Sequence, residues 1–216
     1  MRKPEKSRSP SNWPSSLPYL RSPIYSPSLT QAHLTAIRTP SEALPSFPSS
    51  LLAGPHTNVR ITPITDPAHP AYKQAGLFAT RDLAPGELAV PYLGEYHPSA
   101  TTDLTSDYDL WLDKSADVAV DAARMGNEAR FVNDYRGVPG RDGKRQNAEF
   151  KEVWWAGKDG KGEKGMAVFV LPAGKRAVGR AKTVGIAKGE EILVSYGKGF
   201  WDQRRDEEAG MEAGQL

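Results

Sequence analysis

From Val59 onward the chain is cut into short apolar runs by glycine-containing turns, a punctuation that accommodates many short strands and excludes long helices. The segment GLFATRDLAPGELAVPYLGEY (76–96) predicts a hairpin with Pro85-Gly86 at the centre of a type II turn, because proline presets φ and glycine accepts positive φ. The same phrase returns later. Thr80, Leu83, Ala84, Gly86 and Glu87 match Thr183, Ile186, Ala187, Gly189 and Glu190, which predicts a second, similar hairpin leading into Ile192-Leu193-Val194. One repetition is too little for a solenoid. AEFKEVWW (148–155) and MAVFVL (166–171) predict a further hairpin around a Gly/Lys-rich loop. A helix is expected only over about 103–117, where Leu104, Tyr108, Trp111 and Leu112 recur at three- to four-residue spacing. The fold class expected is mainly β.

The prolines divide the chain. Ten of the 18 lie at or before Pro55, and the first 50 residues hold twelve serines. Such a mixture buries too little apolar area to offset the entropy of ordering it, so residues 1–58 are expected to form a disordered basic tail. The share of hydrophobic residues, 38%, and a mean hydropathy of −0.55 agree with some of the chain being unpacked. A folded unit over 59–201 and a charged C-terminal tail over 202–216 complete the expected organisation. Arg2, Lys3, Lys6 and Arg8 bunch at the start, which reads as a solvated tail, with an import signal or an organelle presequence as alternatives.

Composition also removes whole classes of chemistry. Without cysteine there is no disulfide framework, no thiolate nucleophile and no cysteine-built zinc cluster, and four histidines alone do not predict a metal site. No run approaches the ~18 apolar residues of a membrane span, and the N-terminus lacks the apolar centre of a secretory signal. The expectation is a soluble protein of the nucleus or cytoplasm, the nucleus favoured. Lys and Arg total 28 against 26 Asp and Glu, a balance that gives no argument for nucleic acid. Locally, residues 101–128 carry seven acids against Lys114 and Arg124, whereas 141–182 carry eleven basic residues against five acids. The acidic stretch would attract a lysine-rich peptide. Both stretches also read as solvated faces, and nucleic-acid binding ranks last because the basic stretch lacks interleaved exposed aromatics.

Four segments in order, spanning about Lys73 to Trp201, resemble the SET domain of protein lysine methyltransferases. QAGLFATRDLAPGE (74–87) is similar to the family's opening glycine motif, and Tyr92-Leu93-Gly94-Glu95 to its Tyr-x-Gly-Glu step. VDAARMGNEARFVND (120–134), followed by QNAEF (146–150), resembles the run ending Ala-Arg-Phe-Ile-Asn-His and the family's later asparagine. GEEILVSYGKGFW (189–201) is similar to the Glu-Leu-x-x-Asp-Tyr box with a trailing aromatic. The resemblance implies small curved sheets with a knot-like crossing near the C-terminus and few short helices, while the cysteine-rich zinc modules that flank many members are excluded by the absence of cysteine.

The activity implied is methyl transfer from S-adenosylmethionine to a lysine of a protein substrate, a histone-like basic tail being suited. The alternative is a catalytically silent SET-like or β-clip module that binds a peptide or acts as a scaffold. By resemblance Tyr196 is the catalytic hydroxyl. Gly76, Leu77, Phe78, Arg130, Phe131, Asn133 and Asp134 would bind the cofactor, and Tyr92, Tyr108, Asp107, Asp109 and Trp201 the substrate. Asn147, Glu191 and Asp121 are expected to be structural, and no metal site is expected. Three departures stand out. The first glycine of the opening motif is Gln74, the family's His-Ser-Cys is Asp134-Tyr135-Arg136, and the aspartate before the tyrosine is Ser195.

Overall fold

The computed structural model describes residues 9–140, 145–175 and 178–197. In chain order these form β1 (Ile24–Tyr25), the helix α1 (Gln31–Ile37), β2 (Ser46–Pro48), β3 (Val59–Pro63), β4 (Ala75–Ala79), β5 (Leu88–Tyr92), β6 (Glu95–His97), β7 (Asp109–Asp113), β8 (Val118–Asp121), β9 (Asn133–Asp134), β10 (Ala148–Ala156), β11 (Gly162–Val170) and β12 (Leu193–Val194), with short 3-10 turns between them. Two four-stranded sheets run in the orders β1-β6-β8-β7 and β2-β10-β11-β5, and two small pairs, β3-β4 and β9-β12, complete the set. The architecture is mainly β, as expected. Apolar residues from all four units, among them Ile61, Leu77, Val90, Leu112, Val120, Val168 and Val194, meet in one buried core. Among the described residues no helix is long and apolar enough to cross a membrane.

The hairpin expected around 148–171 forms, with Ala148 opposite Val170 and Ala156 opposite Gly162. The hairpin expected over 76–96 does not. Its turn is present, with Gly86 at φ +78° and the Glu87 N–H donating to the Ala84 carbonyl at 3.1 Å. However, β4 pairs with β3 and β5 with β11, because each strand finds its apolar partner in a different sheet. The second copy of the phrase makes the same turn, with Gly189 at φ +82° and Glu190 N–H donating to Ala187 O at 3.0 Å. The two copies pair with each other instead of each forming a hairpin. Leu83 N–H donates to Ile186 O at 2.8 Å and Ile186 N–H to Leu83 O at 3.2 Å.

The helix expected over 103–117 is absent. Asp103, Ser106 and Asp113 accept hydrogen bonds from the N–H groups of Thr105, Tyr108 and Ala116, local closures that compete with helical bonding. Residues 109–113 pair with β8 instead, and Leu104, on the supposed apolar face, is 79% exposed.

Residues 9–58 depart most from expectation. They lie on the domain: β1 extends one sheet by parallel pairing with β6, and β2 extends the other by parallel pairing with β10. Leu20, Ile37 and Leu52 are buried, and α1 begins with a reciprocal cap between Thr30 and His33. The Tyr19 hydroxyl donates to Glu128 Oε2 at 2.9 Å and the His56 N–H to Glu128 Oε1 at 2.8 Å, which satisfies a carboxylate with no exposure at all.

Candidate active site

Parallel pairing of β9 with β12 sets Asn133 beside Leu193 and Asp134 beside Val194, so the Arg-Phe-x-Asn segment and the Tyr196 segment lie alongside one another. Tyr196 lies two residues past the end of β12. Its hydroxyl donates to the Val132 carbonyl at 2.7 Å and its N–H to Asp134 Oδ2 at 2.7 Å. Burial pushes the phenol well above its usual range, with the negative groups around it adding to the effect, so the group stays protonated at neutral pH.

Two cavities meet at this tyrosine. The larger, about 220 Å³, is lined by His69, Gln74, Ala75, Phe131, Asn133, Asp134 and Arg136. The smaller, about 160 Å³, is lined by Tyr92, Asp109, Leu110, Val132, Phe150 and Ser195. Asp107, Tyr108, Arg130 and Tyr196 line both. The smaller cavity has aromatic walls, with Tyr92 and Phe150 edge to face at 5.4 Å and the Tyr92 hydroxyl donating to Tyr108 O at 2.6 Å. Burial holds the Tyr92 phenol far above its ordinary value. Arg130 is a strut. Its guanidinium donates to the Ala122 and Ala123 carbonyls and stacks on the Tyr108 ring at 4.3 Å.

Of the residues expected to bind a cofactor, Arg130, Phe131, Asn133 and Asp134 come together at the larger cavity, where the opening motif contributes Gln74 and Ala75 in place of Leu77 and Phe78. Leu77 is a core residue with no exposure, since β4 turns this side chain inward. Phe78 lines a separate cavity of about 500 Å³ with Glu190, Glu191 and Leu193. At Gly76 a Cβ would strike Glu191 Oε1 and crowd the Asn133 amide, so the glycine leaves room for these two side chains of the chain itself. Asn133 Nδ2 donates to Glu191 Oε1 at 2.9 Å and to Ala75 O at 3.3 Å. His69, which lay outside every motif, joins the same cluster through Nε2, 3.0 Å from Glu191 Oε2. Nothing in the sequence marked it, because the segment carrying it, residues 64–74, has no apolar period.

Asn147 brackets β12: its Oδ1 accepts from Leu193 N–H at 2.8 Å and its Nδ2 donates to Glu191 O at 2.8 Å. Asp121 Oδ1 accepts from Ser106 Oγ and from Ala123 N–H. Trp201 lies outside the described residues. The acidic stretch 101–128 is more internally engaged than its composition suggested: Asp103 pairs with Arg124, Asp109 with His97, Asp113 with Lys164, and Asp117 accepts the Ser99 N–H. Burial raises the Asp109 carboxyl, an effect the His97 ring opposes. Asp107 and Asp109 nevertheless place carboxylates at the smaller cavity.

Solved structures similar to the chain include apo ctPRC2 with two mutations in Ezh2 (21% identity, TM-score 0.45, covering 72% of this chain and 17% of that one). Others are apo ctPRC2 in an autoinhibited state (19%, 0.44, 74% and 18%) and a humanized, inhibitor-bound mutant of the Chaetomium thermophilum Polycomb Repressive Complex 2 (20%, 0.44, 69% and 16%). The chain thus spans under a fifth of the length of those neighbours. No curated protein matches the sequence. The SET domain family model matches residues 74–197, which takes in every residue of both cavities except His69, Pro70 and Ala71, and the chain belongs to the SET domain family.

Proposed function

We propose that this chain transfers a methyl group from S-adenosylmethionine to a lysine side chain of a protein substrate. The observation that carries the reading is the placement of one partly buried hydroxyl, Tyr196, at the junction of a polar cavity and a narrow aromatic one. A group-transfer site needs two such compartments, and the reacting atoms must meet where they join.

The donor set of the larger cavity fits the cofactor. The Asn133 carboxamide spends both N–H bonds within the chain, so its oxygen is the atom left to accept from an ammonium. Arg136 brings positive charge suited to a carboxylate, and the Phe131 and Tyr196 rings bring the aromatic surface that a sulfonium cation favours. When bound, S-adenosylmethionine supplies an electrophilic methyl group. The rest falls to the protein. A lysine amine has a pKa near ~10.4 and must be neutral to attack. Asp107 and Asp109 draw the ammonium to the smaller cavity, and desolvation among Tyr92, Tyr108 and Phe150 favours loss of its proton to water. Because the Tyr196 proton is directed at Val132 O, the hydroxyl meets an incoming amine as an acceptor and orients its lone pair.

Calorimetry of the full chain with S-adenosylmethionine, paired with a methyl-transfer assay on lysine peptides, tests the reading. Tyr196→Phe should lower turnover by roughly 10²–10³-fold, as loss of a positioned polar group does elsewhere, while stability changes by only about 0.5–1.5 kcal/mol. Absence of binding at millimolar cofactor would replace the enzyme with a silent peptide-binding module.

A further inference from the structure

We infer that His69 is a positioning residue for the cofactor: acting through Glu191, it fixes which way the Asn133 carboxamide faces. The inference rests on the methyltransferase reading and extends it to a residue ahead of the family motifs.

The orientation follows from which atoms can donate. His69 is buried at 7% exposure, and its Nδ1 accepts the Ala71 N–H at 2.9 Å. A backbone amide can only donate, so in the neutral ring the proton sits on Nε2 and is given to Glu191 Oε2, 3.0 Å away. A carboxylate can only accept. Glu191 Oε1 therefore selects the nitrogen of Asn133, at 2.9 Å, and the Ala75 carbonyl selects it again at 3.3 Å. A flipped Asn133 would set its oxygen against two acceptors. Gly76 completes the device by leaving room for the Glu191 carboxylate, which a Cβ would strike. The chain of donors and acceptors runs in one direction, from Ala71 N–H through His69 and Glu191 to Asn133. Its far end is a carbonyl oxygen on the wall of the larger cavity, suited to the ammonium of an amino-acid moiety. If His69 is lost, the Glu191 carboxylate gives up one of its two side-chain partners and can turn away from Asn133.

Calorimetry of the full chain with S-adenosylhomocysteine and with its des-amino analogue separates positioning from mere packing. Wild type should prefer the amino-bearing compound by on the order of tenfold, the worth of a hydrogen bond to a charged group. His69→Leu should erase that preference, so that the two compounds bind it equally. His69→Gln should restore it, since a carboxamide can accept from Ala71 and donate to Glu191. Glu191→Gln, equal in volume, should erase it too, and it serves if the Leu variant fails to fold. A folded His69→Leu or Glu191→Gln protein that keeps the preference overturns the inference alone, as does a wild type that binds both compounds equally. Wild type that binds neither overturns the methyltransferase reading, and the inference with it.

Discussion

Asp134 and Ser195 stand where SET sequences usually place a histidine and an aspartate, and the two departures answer each other. Asp134 turns inward, 5% of its side chain exposed. Its Oδ2 accepts from the Tyr196 N–H and from Arg136 Nη1, both at 2.7 Å, and Arg136 Nη2 donates to Ser195 Oγ at 3.4 Å. The carboxylate missing before the tyrosine is thus supplied from the neighbouring strand. Asp134→Asn should cost about 1.5–3 kcal/mol in urea unfolding, the range for charge-assisted hydrogen bonds, and adding Ser195→Asp should recover part of that loss. If the double variant is less stable than the single one, the carboxylates are not interchangeable. Sequence alone listed these positions as separate departures, because the crossing implied by the resemblance brings the two segments together without saying which side chains meet. Tyr196 and Asn133 were legible for the opposite reason, since each is carried by a motif whose spacing is distinctive. His69 was not, because its role depends on a carboxylate 122 residues away.

At the scale of elements, the repeated phrase was read correctly as a turn and wrongly as a pair of hairpins. Each copy closes with its glutamate accepting the N–H of its alanine, Glu87 Oε2 from Ala84 at 2.8 Å and Glu190 Oε2 from Ala187 at 3.1 Å. Those contacts are local, so local sequence determines them. Strand partners are not local, and β4 and β5 part because the two sheets compete for them. An ion pair, Asp113 on β7 with Lys164 on β11, ties the two four-stranded sheets to each other. Burial by itself would raise the Asp113 carboxyl, but Lys164, Ser115 and the Ala116 N–H hold it down to about 2 against an ordinary 3.8. A depressed acid contributes stability that is present above its unfolded value and lost as pH falls through its folded one. Asp113→Asn should therefore cost about 2 kcal/mol at neutral pH, and the gap between variant and wild type should close from about pH 4 toward pH 2. Denaturant titrations at several pH values measure it. A gap that does not change with pH would assign the effect to packing.

For the whole molecule, the stretch that composition marked as unstructured is what closes both sheets. Composition misled because the segment docks through a few widely spaced anchors, Trp13, Leu20, Ile37 and Leu52, with no period to detect. Its strands are two or three residues long and exist only against edges that other parts of the chain provide. Trp13 packs edge to face on Phe131 at 5.8 Å, so the segment also supports a wall of the larger cavity. Removing residues 1–58 would bare the β6 and β10 edges and take away the Tyr19 and His56 partners of the buried Glu128. It would also delete three buried aliphatic side chains, each worth about 1.5–3 kcal/mol. The sum is comparable with the 5–15 kcal/mol that holds a typical domain together. The truncated protein should therefore lose its cooperative thermal transition, followed by circular dichroism. A gentler probe, Tyr19→Phe, should leave the fold intact and cost about 1–3 kcal/mol, because one oxygen of Glu128 then stays buried without its donor. A truncated protein that melts at the wild-type temperature would show that the segment only rests on the surface, and that the domain beginning at Val59 is complete without it.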